Sequence, residues 1–352
     1  MPGTMLRRLL GRQGSDSLRQ VPFTLPGALH DEVRILFVDS EDLTDLLFVM
    51  PFVEAVRERV PGAQLGLLCT ERTSQLALSC GCFQDHVVFD EAQLKPRSAS
   101  HRQLLELLDQ DPWELAILVG RRPDPLRDEL AYHSGAVLRL GPGHPRAFPH
   151  INCEVRSRAD ESYPDRRTTT WGRLLGMSLE DARLRWPVDE KPLRQMGQLV
   201  HFNKPRKDQL LVGIDPGVGK AGTVLSTENL AFLGNHIAGH VRCKTIVLTA
   251  EVGENRSTSL EQRLRGERLD LPRPTLQEVI LLLAQCDLFL GGNTDLFHFA
   301  AAMEVPALSI FTPEDEDRWI PRQSSKVEVI RSSPGEELNL SELMSRIERL
   351  LD

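Results

Sequence analysis

Three short stretches of the chain carry the residue types that chemistry on a hydroxylated or phosphorylated substrate needs. The first is Asp39-Ser40-Glu41-Asp42-Leu43-Thr44-Asp45, which joins an apolar run, Val33 to Val38, to a segment, Leu46 to Arg59, with apolar residues at helical spacing. A carboxylate at the start of a helix is held by the positive end of the helix dipole, so Asp45 stays ionised and can act as a base. A plain helix N-cap at Asp42 or Asp45 is the competing reading. The second stretch, Gly213-Ile214-Asp215-Pro216-Gly217-Val218-Gly219-Lys220, is a glycine-rich turn directly after a strand. Gly217 and Gly219 let backbone amides approach phosphate oxygens, and Lys220 adds a compact positive charge. The spacing is not that of a Walker loop, and an ordinary strand-to-loop turn fits it equally well.

The third stretch runs from Ala284 through Leu288-Phe289-Leu290-Gly291-Gly292-Asn293-Thr294-Asp295-Leu296-Phe297-His298 to Ala302. It reads as helix, strand, tight turn and helix, and the new helix N-terminus is a ready anion site. A capped, buried helix is the alternative. Arg146, His150, Arg166 and Arg167 stand in a Gly-, Pro- and Arg-rich region between the two halves and could meet an anion there, with solvated arginines as the plainer reading.

These stretches need a frame that aims them at one place. Strand and helix patterns alternate from residue 33 to about 140: strands at Val33 to Val38, Gln64 to Cys69, Asp85 to Phe89, Leu115 to Val119 and Ala136 to Leu140, with helices between. That order predicts a doubly wound parallel sheet. Alternation resumes at Leu210 to Asp215 and continues through strands at Thr245 to Thr249, Leu288 to Leu290 and Ala307 to Phe311. The expected organisation is a flexible basic leader at 1–31, a Rossmann-like domain at 32–185, a Pro-punctuated linker at 186–208, a second Rossmann-like domain at 209–335, and an amphipathic terminal helix at 336–352. Two such domains facing each other place a cleft at the carboxyl ends of their sheets, where ligands of these folds bind.

Composition narrows the function classes. The 352 residues, 41% hydrophobic and 26% charged, suit two ordinary domains, and a net charge of -8 argues against nucleic acid as a partner. The longest apolar runs fall short of a membrane span, and the N-terminus makes a poor secretory signal, so a cytoplasmic location is expected. A short basic helix at Leu6 to Arg12 would allow peripheral contact with the inner membrane surface, a solvated tail being the commoner case. The six cysteines lack CxxC spacing and read as reduced core thiols.

The order of these motifs resembles that of the family-nine glycosyltransferases, the group that contains the lipopolysaccharide heptosyltransferases. The matching strings are Ile35-Leu36-Phe37-Val38, Leu43-Thr44-Asp45, Pro51, Arg57, Arg59, Pro61, Ala63 and Leu65; the turn ending at Lys220; and Asn293-Thr294-Asp295 with His298-Phe299-Ala300-Ala301-Ala302, Val305-Pro306 and Phe311. The resemblance implies a GT-B fold, two Rossmann-like domains about a cleft, with Asp45 as general base toward an acceptor hydroxyl. It implies that Gly217, Gly219, Lys220, Asn293, Thr294, Asp295 and His298 form the donor site, with Glu254 accepting hydrogen bonds from a donor ribose, and that Arg146, Arg166 and Arg167 meet the acceptor. The expected partners are a nucleotide-diphospho-sugar, by resemblance ADP-heptose, and a glycan or glycolipid acceptor. No cofactor and no metal are expected. Three positions depart from the family string: Thr44 and Asp295 both stand where it has glycine, and Asn293 stands where it has aspartate. A carboxylate at Asp295 is expected to satisfy its own helix's amides and to repel a phosphate, by on the order of 4 kcal/mol at about 4 Å and an effective dielectric near 20. The function implied is inverting sugar transfer. Its alternatives are a family-like binding module without transfer activity and, more distantly, a nucleotide-sugar epimerase of similar architecture.

Overall fold

The computed structural model describes residue 25 and residues 27–91, 94–155, 167–179, 182–203, 208–222, 224–250, 254–271, 274–321, 324–333 and 339–351. Most of the expected leader, including Leu6 to Arg12, lies outside the described residues. Among the described residues, eleven strands form two sheets. The first holds β1 (Arg34–Val38), β2 (Gln64–Thr70), β3 (Asp85–Phe89), β4 (Leu115–Leu118), β5 (Leu138–Pro142) and β6 (Cys153–Val155) in the order β3-β2-β1-β4-β5-β6. The second holds β7 (Leu210–Ile214), β8 (Cys243–Val247), β9 (Leu288–Gly291), β10 (Ala307–Phe311) and β11 (Val327–Arg331) in the order β11-β10-β9-β7-β8. Every pairing between these strands is parallel.

Most of the parallel crossovers carry helices, while among the described residues the β5–β6 and β10–β11 connections hold no α-helix. The α-helices among the described residues are α1 (Leu43–Arg59), α2 (Glu71–Cys80), α3 (Ala99–Gln110), α4 (Pro125–His133), α5 (Arg167–Leu174), α6 (Glu190–Asn203), α7 (Thr227–His240), α8 (Glu254–Arg263), α9 (Leu276–Leu283), α10 (Asp295–Ala302) and α11 (Leu340–Leu351). The α/β expectation of two parallel-sheet halves is met. β6 and β11 add a strand to each sheet beyond those read from sequence; β6 is only three residues long, too short for any periodicity to show. The stretch expected as a linker contains α6. Its Pro192 falls in the first turn, where amides have no intrahelical partner and a proline costs little.

In each sheet the strand order reverses at one point, between β1 and β4 and between β7 and β9. The loops leaving those four strands are Asp39–Asp42, Val119–Asp124, Asp215–Ser226 and Gly292–Thr294, and they hold most of the candidate residues. Strand-order reversal opens a crevice at the carboxyl ends of its strands, which is why the side chains converge there.

The two halves are not separate cores. One buried cluster contains Phe37, Phe52 and Leu67 from the first half and Leu211, Phe289, Phe297 and Phe311 from the second. α2 packs on α9, and Trp186 bridges the halves. Its indole donates to Ser79 Oγ at 2.9 Å, and its ring meets Phe299 edge-on at 4.9 Å. α1 is buried over most of its length, from Leu43 to Val53, because it lies between its own sheet and α10.

Candidate functional site

α1 starts at Asp42, whose carboxylate accepts from the Thr44 amide at 2.9 Å and is the N-cap. Asp45 is therefore not the cap; it stands in the first turn, 4% exposed, and is held from several sides. Arg121 Nε donates to its Oδ1 at 2.5 Å, Ser40 Oγ donates to its Oδ2 at 3.0 Å, and Arg167 Nη2 lies 3.7 Å from Oδ1. Burial pushes the Asp45 carboxyl above its ordinary value, with Arg121 and Arg167 pulling it back and the charge of Asp42 adding to the rise. A raised carboxylate suits a base better than an ordinary one, because its proton affinity lies nearer working pH.

The turn after β7 is shaped by Asp215. Its Oδ1 accepts from the Gly217 amide at 2.8 Å, and a side chain at Gly217 would meet that same oxygen at 2.8 Å, so this position takes glycine. Arg256 fastens the turn through the Pro216 and Leu225 carbonyls. Beyond Gly219 the Lys220 amide donates to the Asn293 carbonyl at 2.7 Å, tying the glycine-rich turn to the turn after β9.

That second turn is built from buried polar side chains. Thr294 is the N-cap of α10, its hydroxyl accepting from the Phe297 amide and donating to Asp215 Oδ2 at 2.5 Å. Asn293 donates through its amide to Asp315 at 2.8 Å, so its carbonyl oxygen faces His298 Nε2 at 3.0 Å as acceptor. Burial, and then the charge of Lys220, pushes His298 well below its ordinary value, so the ring is neutral and carries its proton on Nε2 in this arrangement.

Asp295 does not cap its own helix as its sequence position suggests. Thr294, one residue earlier, takes that role, and the Asp295 carboxylate reaches across the cleft instead. Its Oδ1 lies 2.5 Å from Lys220 Nζ and 2.6 Å from the Thr44 hydroxyl. Lys220 Nζ also donates to Asp42 Oδ1 at 2.7 Å, and Arg121 Nη2 lies 3.6 Å from Asp42. The side chains thus form one chain of alternating charge: Arg167, Asp45, Arg121, Asp42, Lys220, Asp295. Burial alone would lower Lys220, but its two carboxylate partners outweigh that and hold it raised. Asp42 is the mirror case: burial pushes it up, and Lys220 with Arg121 brings it below the ordinary value.

An aromatic lid lies over this chain. Trp319, in a short turn after β10, stacks with Phe48 of α1 at 6.2 Å, and its ring receives Arg121 at 4.7 Å and Lys220 at 6.0 Å. Arg121, Asp42, Asp215, Asp315 and Trp319 complete the site, and none was singled out from sequence as a ligand-binding residue. For Arg121 a signal exists, since it follows Val119 and Gly120 at the end of an apolar strand whose loop faces the cleft. Among the other expected residues, Arg146 is exposed on the β5–β6 loop with its amide on His144, apart from the charge chain. His150 packs its ring against Tyr132 at 5.4 Å, also away from the site. Arg166 and the side chain of Glu254 lie outside the described residues. Among the described residues no group of three or more His, Cys, Asp or Glu has the arrangement of a metal site, and no helix is long and apolar enough to cross a membrane.

Residues 243–345 match the model of Glycosyltransferase family 9 (heptosyltransferase), which covers β8 to α11 and so includes the turn at Asn293 to Asp295. No curated protein sequence matches the chain. Among solved structures, the glycosyl transferase family 9 protein from Veillonella parvula DSM 2008 superposes with a TM-score of 0.74 at 16% identity, covering 91% of this chain and 97% of that one. The ADP-heptose lps heptosyltransferase II of E. coli superposes with a TM-score of 0.73 at 16% identity, covering 91% and 98%. The E. coli heptosyltransferase WaaC with ADP gives 0.71 at 16% identity, covering 90% and 100%. These likenesses establish the GT-B fold, and the family-model match bears out the resemblance to family nine over residues 243–345.

Proposed function

We propose, taking the family-nine match over residues 243–345 as the premise, that the chain transfers a glycosyl group from a nucleotide-diphospho-sugar to a hydroxyl of a glycan acceptor with inversion at the sugar carbon. The observation that carries the reading is the convergence of Asp45, from the β1 loop, and Lys220, from the β7 loop, on one cleft, linked through Arg121 and Asp42. In this reading Asp45 takes the acceptor hydroxyl proton as that oxygen attacks the sugar carbon, and the bond from that carbon to the diphosphate breaks. Lys220 and the amides at the start of α10 take up the charge that develops on the leaving diphosphate. Arg121 and Arg167 hold Asp45 in place and keep it ionised. The donor is by analogy ADP-heptose, the acceptor a lipopolysaccharide-core-like glycan or another glycan, and the setting the cytoplasm, with peripheral contact at the inner membrane.

For that chemistry Asp295 and Asp42 must give Lys220 up to the diphosphate. Three carboxylates already balance three cations in the network, so a diphosphate enters only by displacing a carboxylate. The same observation favours a second reading, a family-like protein that has lost transfer and serves as a glycan- or partner-binding module, with Asp295 standing permanently where a phosphate would go. Calorimetric titration with ADP, UDP and GDP separates the two. Micromolar binding of one nucleotide, weakened by Lys220→Ala, supports transfer and justifies an acceptor search with Asp45→Ala as the inactive control. Absence of binding by the native chain, restored by Asp295→Gly, gives the second reading precedence.

A further inference from the structure

α2 ends at the first residue of the sequence Cys80-Gly81-Cys82. Cys80 is its last helical residue, and Gly81 follows in the left-handed region at φ 61°, so the chain turns back sharply on itself. The reversal folds Cys82 under Cys80. The Cys82 amide donates to Cys80 Sγ at 3.4 Å, and Cys82 Sγ lies 3.5 Å from the Cys80 carbonyl. The left-handed conformation that glycine allows is what lets the chain reverse between the two thiols.

We propose that Cys80 and Cys82 form a redox-active dithiol, a site of reversible oxidation by a small peroxide to a disulfide within the turn. The Cys82 sulfur, as thiolate, attacks one oxygen of hydrogen peroxide; the O–O bond breaks, Cys82 becomes a sulfenic acid, and the departing hydroxide takes a proton to leave as water. The Cys80 sulfur then attacks the Cys82 sulfur, the S–O bond breaks, and a second water leaves with the Cys80 proton. Two thiols and one peroxide become one disulfide and two waters.

The surroundings assign the roles. The Cys80 thiol donates to the Ala77 carbonyl at 3.1 Å, which holds its proton, while proximity to Cys80 draws Cys82 toward the thiolate. The nearby Arg57 guanidinium favours that thiolate too, against burial and the charge of Glu54. Both thiols are buried, at 6% and 1% exposure, so a bulky disulfide such as oxidised glutathione is kept out and a small peroxide reaches them by local opening of the turn. Cys69 provides an internal contrast. Equally buried, it has no second cysteine bonded to it among the described residues, and burial with the charge of Asp39 pushes its thiol up to about 12. The turn also sits where the halves are joined: the Ser79 carbonyl accepts from the Asp189 amide at 2.9 Å, and Ser79 Oγ accepts from Trp186.

The test treats the full-length native protein with hydrogen peroxide, blocks remaining thiols with N-ethylmaleimide and maps the tryptic peptide from Thr73 to Arg97. The expected result is loss of the mass of two hydrogens from that peptide, no uptake of the alkylating agent, and full reversal by dithiothreitol. The pair should oxidise at least about tenfold faster than Cys69. In Cys80→Ser, Cys82 should accumulate as a sulfenic acid that dimedone labels; in Cys82→Ser, Cys80 should remain a thiol. Circular dichroism of each sample checks that the native fold persists. Oxidation of the pair at the rate of Cys69, its appearance only once the fold is lost, or passage of native Cys82 to the sulfinic acid without a disulfide would each overturn the proposal.

Discussion

The Thr44 hydroxyl donates to Oδ1 of Asp295 over 2.6 Å, joining the first turn of α1 in one half of the molecule to the first turn of α10 in the other. These are the two positions where the family string has glycine, and they are in contact. The same Asp295 oxygen takes the Lys220 ammonium at 2.5 Å. The two departures are therefore one structural change, a carboxylate placed on the lysine and steadied by a hydroxyl from across the cleft.

Asp295→Gly should strengthen binding of a nucleotide diphosphate. A like charge near 4 Å sets an upper bound of about a thousandfold at an effective dielectric near 20, and solvent in the cleft should reduce the gain to about ten- to a hundredfold. Thr44→Gly alone should change affinity less, because the carboxylate remains. Calorimetry on the three proteins decides this; equal affinities would mean that Asp295 swings aside without cost.

Asp45→Asn should lower the transfer rate by roughly a hundred- to ten-thousandfold with little effect on donor affinity, as expected for loss of a general base. Asp45 must be ionised to accept a proton, and burial raises it above the ordinary carboxylate value. The native rate should therefore climb as pH rises through that raised value and level off above it. A rate profile in which the acidic limb survives the Asn substitution would assign the base elsewhere.

Asp39, buried at the end of β1, carries a pH dependence of stability. Burial pushes its carboxyl up to about 6, against Thr73, the backbone amides of Ser40 and Glu41, and the charge of Arg127. An unfolded chain holds Asp near 3.9. Between about pH 4 and pH 6 the folded state binds more protons than the unfolded one, so this group's favourable contribution is present at acid pH and disappears as pH rises through 6. Asp39→Asn should thus stabilise the protein near neutral pH by at most about 3 kcal/mol and do nothing below about pH 4. Thermal melts of both proteins across this range would show it.

Thr294→Val should cost about 1–3 kcal/mol in chemical denaturation, because it removes the α10 cap and a hydroxyl donor from the buried Asp215 carboxylate. Thr294→Ser should cost less than about 1 kcal/mol, since it keeps both bonds. Equal losses from the two would point to the methyl group's packing instead.

The frame of the site is readable in the sequence because each loop at a strand-order reversal follows a continuous apolar strand, as at Ile35 to Val38, Leu211 to Ile214 and Leu288 to Leu290. Buried parallel strands must be apolar along their length, and a loop after such a strand has one direction to face. Partners are harder to read. Arg121 stands next to Arg122, and nothing local says that the first reaches an aspartate 76 positions earlier. Trp319 follows Glu314, Asp315, Glu316 and Asp317, a run that reads as solvated, yet the fold turns its ring over the cleft. Asp295 looks like the natural cap of α10 until the register shows Thr294 one place ahead of it. Such pairings depend on tertiary placement within one residue, which periodicity does not resolve.

The buried cluster that runs from Phe37 and Phe52 through to Phe297 and Phe311 bears on how the molecule comes apart. A polar hinge between halves would let each melt at its own temperature, whereas shared apolar packing makes the loss of either half expose the flank of the other. Heating should therefore give a single calorimetric peak. A fragment ending before Glu190 should be recovered as aggregate rather than as an independently folded half, because Trp186 and α2 would present to water the surface that α9 and α10 now cover.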